Sequence, residues 1–356
     1  MMKSHTGFAL LAGLVLVLAP PSRAAAQDTE SWSHVSVLEH EYPELYEMTV
    51  RLERAHGLLF GQLLAEGEAV RATGADVTTF GFELDMVERL TAMVGEDGTA
   101  DDVAAEAETG YAVLGKRAAE VIARTHAFYR EVLGILVDAS VTDRRAAVDE
   151  AVQRYLSRPD VALPGAAKDM DVLYDHPYAL AFRTGYADLD GLIWAGHWLT
   201  LAATEPLTDF AGRDERVAGL DTITNRYFAK LSYGEPPEFF PSELPLMPAI
   251  APGIIFLHPQ VAMIWDNLNM MQEVLADVLA SPDVTDVRAA LDEATDHFLD
   301  PSYRMADQAD WEIMALRHGI FFQGGYPLAV MTQSERNVGG HAAHLGGGVP
   351  IISGMP

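Results

Sequence analysis

One helix-like stretch is written twice in this chain, and that constrains its fold more than any other feature. DRRAAVDEAVQRYL, Asp143 to Leu156, returns 143 residues later as DVRAALDEATDHFL, Asp286 to Leu299, with eight of fourteen positions identical. In the first copy Val148, Ala151, Val152, Tyr155 and Leu156 follow the i, i+3, i+4, i+7, i+8 spacing of a helix that buries one face. Leu291, Ala294, Thr295, Phe298 and Leu299 fill the same face in the second. Thr142 or Asp143 can cap the first copy, and Pro159 and Pro301 follow the two ends.

The flanks repeat in the same order. EVLGILVDA (Glu131 to Ala139) and EVLADVLAS (Glu273 to Ser281) precede the copies, and FRTGY (Phe182 to Tyr186) and FQGGY (Phe322 to Tyr326) follow them. A fainter version, ERVAGLDTITNRYF, lies between them from Glu215 to Phe228. His56, His126 and His197 recur at spacings of 70 and 71 residues, with Leu268 in the fourth register. These periods predict four degenerate units of about 70 residues, beginning near residues 46, 116, 187 and 258, stacked as an all-α bundle or solenoid. Two pseudo-symmetric halves are the paired alternative. No sustained two-residue alternation argues for a sheet.

The domain layout follows. Residues 1–26 read as a signal peptide: Lys3, the apolar run FALLAGLVLVLA, and Ala24 and Ala26 before a cleavage point at Ala26/Gln27. The apolar run is shorter than the about 20 residues of a membrane-spanning helix. Residues 27–187 and 188–330 form the two repeat halves, and 331–356 a Gly-rich tail. The expected location is periplasmic or extracellular.

Composition excludes several functions. The chain has no cysteine, so disulfides, thiolate metal sites and covalent c-type haem are ruled out. Its formal charge of −28 becomes two units more negative once Lys3 and Arg23 are removed. Such a surface repels nucleic acid and attracts cations. GYAVLGKR, Gly110 to Arg117, imitates a phosphate-binding loop but has Arg117 where the magnesium-binding hydroxyl belongs. No nucleophile elbow and no H-E-x-x-H occur. Asp171, Asp175, His176, Asp188 and Asp190 cluster in sequence, as solvated or capping acids of helical connectors do.

Two segments break the repeat. Residues 234–265 hold seven prolines, with no formally charged residue from Leu244 to Trp265. Packed, this is a loop across the core; exposed, it is an apolar ledge. Partner-binding candidates there are Phe239, Phe240, Leu246, Ile254, Ile255 and Phe256. Val349, Ile351 and Ile352 in the tail are the others.

Two readings of function emerge. The first is an exported, non-enzymatic helical subunit without a cofactor. It docks on protein partners in the cell envelope, an integral membrane complex of respiratory or photosynthetic type among them, with peripheral membrane contact. The second is a metal- or haem-binding carrier or oxidoreductase, with iron or haem held by Glu53, His56, His126 and His197. Glu53 and His56 form an E-x-x-H pair on one helix face; a carboxylate di-metal site requires two such pairs and two further Glu, and one pair is found. A weaker third reading is a small-molecule pocket lined by Trp194, Trp198 and Trp265.

Overall fold

A computed structural model describes residues 32–73, 80–95, 110–208, 212–231 and 244–317. Within them the fold is all-α, and the sole pairing of extended backbone is an isolated antiparallel bridge between Lys168 and Met305. The helices run in the order α1 (Val35–Glu41), α2 (Pro43–Thr73), α3 (Phe80–Val94), α4 (Lys116–Val137), α5 (Arg144–Leu156), α6 (Ala181–Gly185) and α7 (Ala187–Ala202). They continue with α8 (Glu205–Thr208), α9 (Arg213–Leu231), α10 (Met247–Ile250), α11 (Pro252–Leu257), α12 (Pro259–Ala280), α13 (Val287–Leu299) and α14 (Gln308–Arg317).

The two written-twice stretches are α5 and α13, and their local chemistry agrees. The Asp143 carboxylate accepts the Ala146 backbone N–H at 3.0 Å, and Asp286 accepts that of Ala289 at 2.9 Å. Each satisfies one of the orphan donors of a first helical turn. The predicted apolar faces are buried, except that Leu156 is half-exposed. Helices α4 and α12, just upstream, are each 22 residues long, and each begins 28 residues before its partner. The four long helices of the expected units, α2, α4, α7 and α12, begin at Pro43, Lys116, Ala187 and Pro259.

The proline-rich segment, from Leu244 onward, does not stand out as a ledge. Pro248, Pro252 and Pro259 each sit in the first turn of a helix, where the missing N–H costs nothing. Ala251 and His258, each preceding a proline, take the non-helical backbone that proline imposes on its neighbour. The chain therefore turns twice and folds inward. Leu246 and Ile254 are wholly covered by the protein itself, so neither is available to a partner. Ile255 is half-buried, whereas Phe256 is 84% exposed. Phe239, Phe240, Val349, Ile351 and Ile352 lie outside the described residues.

Helix α12 runs through the centre, with every residue from Val261 to Ala280 buried. A helix covered on all sides is ordinarily apolar. This one carries Asp266, Asn267, Asn269, Gln272, Glu273 and Asp277. Several of these polar groups hold connecting loops. Asp266 accepts the Met247 backbone N–H (3.0 Å) and the Trp311 indole N–H (3.0 Å), fixing α10 and α14. Asn267 accepts the Lys168 N–H and donates to the carbonyls of Pro164 and Ala166. Asp277 accepts the N–H groups of Leu180 and Phe182 at the start of α6. Lys168, buried, donates through Nζ to the carbonyls of His297, Asp300 and Tyr303 and so closes the end of α13.

Helix α2 lies against α12 at Gly67, where a Cβ would run into the Leu279 carbonyl oxygen. Arg71 then donates to the carbonyls of Leu279 and Ser281, the last acceptors of α12. Among the described residues no helix is long and apolar enough to cross a membrane.

Candidate polar site at the centre of the long helices

Four helices contribute one face each to a single cavity. From α2 come Thr49, Leu52, Glu53 and His56; from α4, His126, Tyr129 and Arg130. Gly196, His197 and Thr200 of α7 and Trp265, Asn269 and Gln272 of α12 complete the wall. Each set spans no more than seven residues and recurs at three- or four-residue steps, which puts its members on one side of a helix. All four sequence-predicted ligands, Glu53, His56, His126 and His197, thus line the same space. Glu47 does not: it is exposed on α2, paired with Arg51. The cavity holds about 20 Å³, enough for one water, which needs roughly 10–15 Å³. Of the lining side chains, Glu53, Arg130 and Thr200 reach solvent.

Side chains join the helices across this space. His56 Nε2 lies 3.0 Å from His197 Nε2, linking α2 to α7 with the rings stacked. His197 Nε2 lies 3.3 Å from Gln272 Oε1 of α12. The Glu53 carboxylate is 2.5 Å from Arg130 Nη1 and 3.5 Å from His126 Nδ1, linking α2 to α4. Trp265 stacks on Tyr129 and meets His126 edge-on, and its indole N–H donates to Thr200 Oγ1 at 3.3 Å. Tyr129 donates to the Thr200 carbonyl at 2.5 Å. Of the three tryptophans proposed for a small-molecule pocket, only Trp265 lines this cavity; Trp194 and Trp198 are buried elsewhere in the core.

The histidine protonation states follow from the partners. A carbonyl oxygen only accepts, so His56 Nδ1, 2.9 Å from the Leu52 carbonyl, carries the proton. The Nε2 of neutral His56 is then a lone pair facing His197. Burial pushes His56 down to about 4, against the partial support of the Leu52 hydrogen bond. Burial and the neighbouring His56 push His197 well below the ordinary histidine value. Both rings are neutral at pH 7. For Glu53, burial alone would raise the carboxyl, but Arg130 and His126 outweigh it and hold it far below the usual range.

The centre is under-satisfied. His126 Nδ1, His197 Nδ1, Gln272 Nε2 and both amide atoms of Asn269 are buried without a hydrogen-bond partner. Asn269 is 1% exposed and Gln272 2%. On the same helix Asp266, Asn267 and Asp277 are engaged; Glu273, away from the cavity, has one carboxylate oxygen without a hydrogen bond but ion-pairs with Arg183 at 3.2 Å. Buried polar groups are ordinarily paired, and a cluster of exceptions calls for a cause.

The acids of the 171–190 stretch separate. Asp175 pairs with Arg304 at 2.7 Å, and the Asp188 N–H donates to Glu83. Asp190 meets Glu273 and the Arg183 guanidinium beside Asp277, where His176 Nε2 lies 3.4 Å from Asp277. Burial raises Asp190 to about 7 and Glu273 well above its ordinary value, so the two carboxyls do not both ionise.

Sequence reasoning missed Tyr129, Arg130, Asn269 and Gln272. The signal available was the run of polar residues at helical spacing inside the otherwise apolar QVAMIWDNLNMMQEVLADVLA. Leu268, which occupies the fourth histidine register, is buried away from the cavity, and its neighbour Asn269 faces it. Among the described residues no three His, Asp or Glu side chains group closely enough to hold a metal ion by themselves. No protein-family model matches this chain, and no curated protein or solved structure matches it at a significant level.

Proposed function

We propose that the protein is an exported helical metal carrier whose working element is the polar centre of α2, α4, α7 and α12. One observation carries this reading. The Glu53, His56, His126 and His197 side chains, drawn from three helices, line one cavity whose wall also holds unpartnered amide groups. Folding gains nothing from such groups: each buried, unmet donor or acceptor costs about 1–3 kcal/mol. A bound cation engages one of them, the Asn269 Oδ1 acceptor; the amide N–H groups of Asn269 and Gln272 are donors and do not bind it. The cavity favours a small occupant, since about 20 Å³ takes an ion or a water and not a macrocycle. Iron or another first-row ion fits this reading better than haem. Export follows from the signal-like residues 1–26, and the acidic surface concentrates cations near the site.

The experiment is metal analysis, with a visible spectrum, of protein purified natively from its own cell envelope. A stoichiometric first-row ion supports the carrier. A metal-free protein that also takes up no added ion contradicts it.

The docking-subunit reading is favoured by a separate observation: Phe256 stands 84% exposed in a stretch without formal charge. An accessory role beside an envelope complex and a carrier role are compatible. Co-purification of wild type but not of Phe256→Ser tests the first independently.

We also propose that the chain arose by duplication. Support comes from α4–α5 and α12–α13, whose boundaries coincide residue for residue at an offset of 143.

A further inference from the structure

We propose that the ion's donors are His56 Nε2, His197 Nε2 and the amide oxygens of Gln272 and Asn269, with Glu53 and His126 outside the coordination sphere. The site is therefore neutral, two nitrogens and two oxygens, suited to a borderline divalent first-row ion. This rests on the metal-carrier reading above and names its ligands.

The two imidazoles carry the argument. An ion bonded to both nitrogens at about 2.0–2.1 Å holds them roughly 3.0–3.3 Å apart for bond angles between square and tetrahedral. The observed separation is 3.0 Å. His56 is held in the ligand-competent tautomer by the Leu52 carbonyl, the usual outer support of a metal-bound histidine. Without an ion, one proton on His197 Nε2 bridges His56 and Gln272 Oε1, 3.3 Å away, and leaves His197 Nδ1 a lone pair without a donor. With an ion, both Nε2 lone pairs bind it and the His197 proton moves to Nδ1, which stays without a partner in either state. Gln272 Oε1 is already at the site. Asn269, 1% exposed with neither amide atom engaged, lines the same cavity. Since no three His or carboxylate groups cluster here, this assignment takes its further donors from the amides that line the cavity.

Glu53 is committed elsewhere. Its carboxylate is paired with Arg130 at 2.5 Å, with His126 Nδ1 3.5 Å away, and the Glu53–Arg130 pair stands at the solvent-reaching edge of the cavity. There it takes no part in holding the ion. Imidazole with amide oxygen suits copper, nickel, zinc and iron rather than calcium or magnesium, and the divalent series places copper highest in affinity.

The test is titration of the metal-free full chain with Cu(II) alone, read by calorimetry and by electron paramagnetic resonance. One ion per chain is expected, with superhyperfine coupling to two imidazole nitrogens. His56→Ala and His197→Ala each lower affinity by more than about 100-fold, beyond the cost of losing an outer partner. His126→Gln keeps it within about 10-fold. The resonance of the unmutated protein decides the matter even if a variant fails to fold. Coupling to three nitrogens, or undiminished binding in folded His56→Ala, overturns the ligand assignment while the carrier reading stands. No stoichiometric binding of Cu(II), Ni(II), Zn(II) or Fe(II) overturns both.

Discussion

Glu53 and the paired histidines set how the interior responds to mutation and to acid. Replacing Glu53 by Gln strips Arg130, half-buried, of its carboxylate, and charge-assisted hydrogen bonds are worth roughly 1.5–3 kcal/mol. Glu53→Gln is therefore expected to lower unfolding stability by about 2 kcal/mol, measured by urea titration at pH 7. His56 has a folded pKa of about 4 against 6.5 for the free side chain. Between those values the unfolded state binds more protons, so stability rises with pH through the window and is lost as pH falls below 6.5. The loss for His56 reaches about 2 kcal/mol at pH 5, and His197, shifted the same way, adds to it. Glu53, depressed, contributes stability present above pH 4.5 and lost as pH falls further. Denaturation midpoints at pH 7 and pH 5 should differ markedly in wild type and less in His56→Gln. The histidines were legible in the sequence because they recur at a fixed spacing. Gln272 and Asn269 were not, since neither residue type announces a ligand and the matching register is filled by Leu268.

Element boundaries were the most readable level. Asp143, Asp286, Pro252 and Pro259 act on their own turns, and local chemistry is written locally. The cap prediction is direct: Asp143→Ala and Asp286→Ala each cost about 1 kcal/mol, and the double variant, with the caps on separate helices, costs their sum. Guanidinium denaturation of the four proteins closes that cycle. A midpoint unchanged in either single variant contradicts the capping role. The Leu244–Trp265 stretch was harder. Its composition fits a packed loop as well as an exposed ledge, and the choice depends on where α10 and α11 meet the rest of the core. Leu246 and Ile254 went inward because Pro248 and Pro252 start new helices; Phe256, on the outer side of α11, did not.

Across the whole molecule, all-α architecture followed from helical periodicity and the lack of alternation. The meeting of α2, α4, α7 and α12 around one cavity did not, because it is decided by contacts between residues 65 to 210 positions apart. A site built from four helices also links metal occupancy to global stability. A ligand present at 100 times its dissociation constant stabilises the folded state by about 2.7 kcal/mol, so Cu(II) or Zn(II) should raise the melting temperature of wild type and not of His197→Ala. The most direct test is anomalous diffraction from crystals of the metal-loaded protein, recorded on both sides of the metal absorption edge. The account predicts one strong peak between His56 Nε2 and His197 Nε2, about 2.1 Å from each. A peak at the Glu53–His126 pair, or ordinary water density between two hydrogen-bonded imidazoles in a metal-saturated crystal, would contradict it.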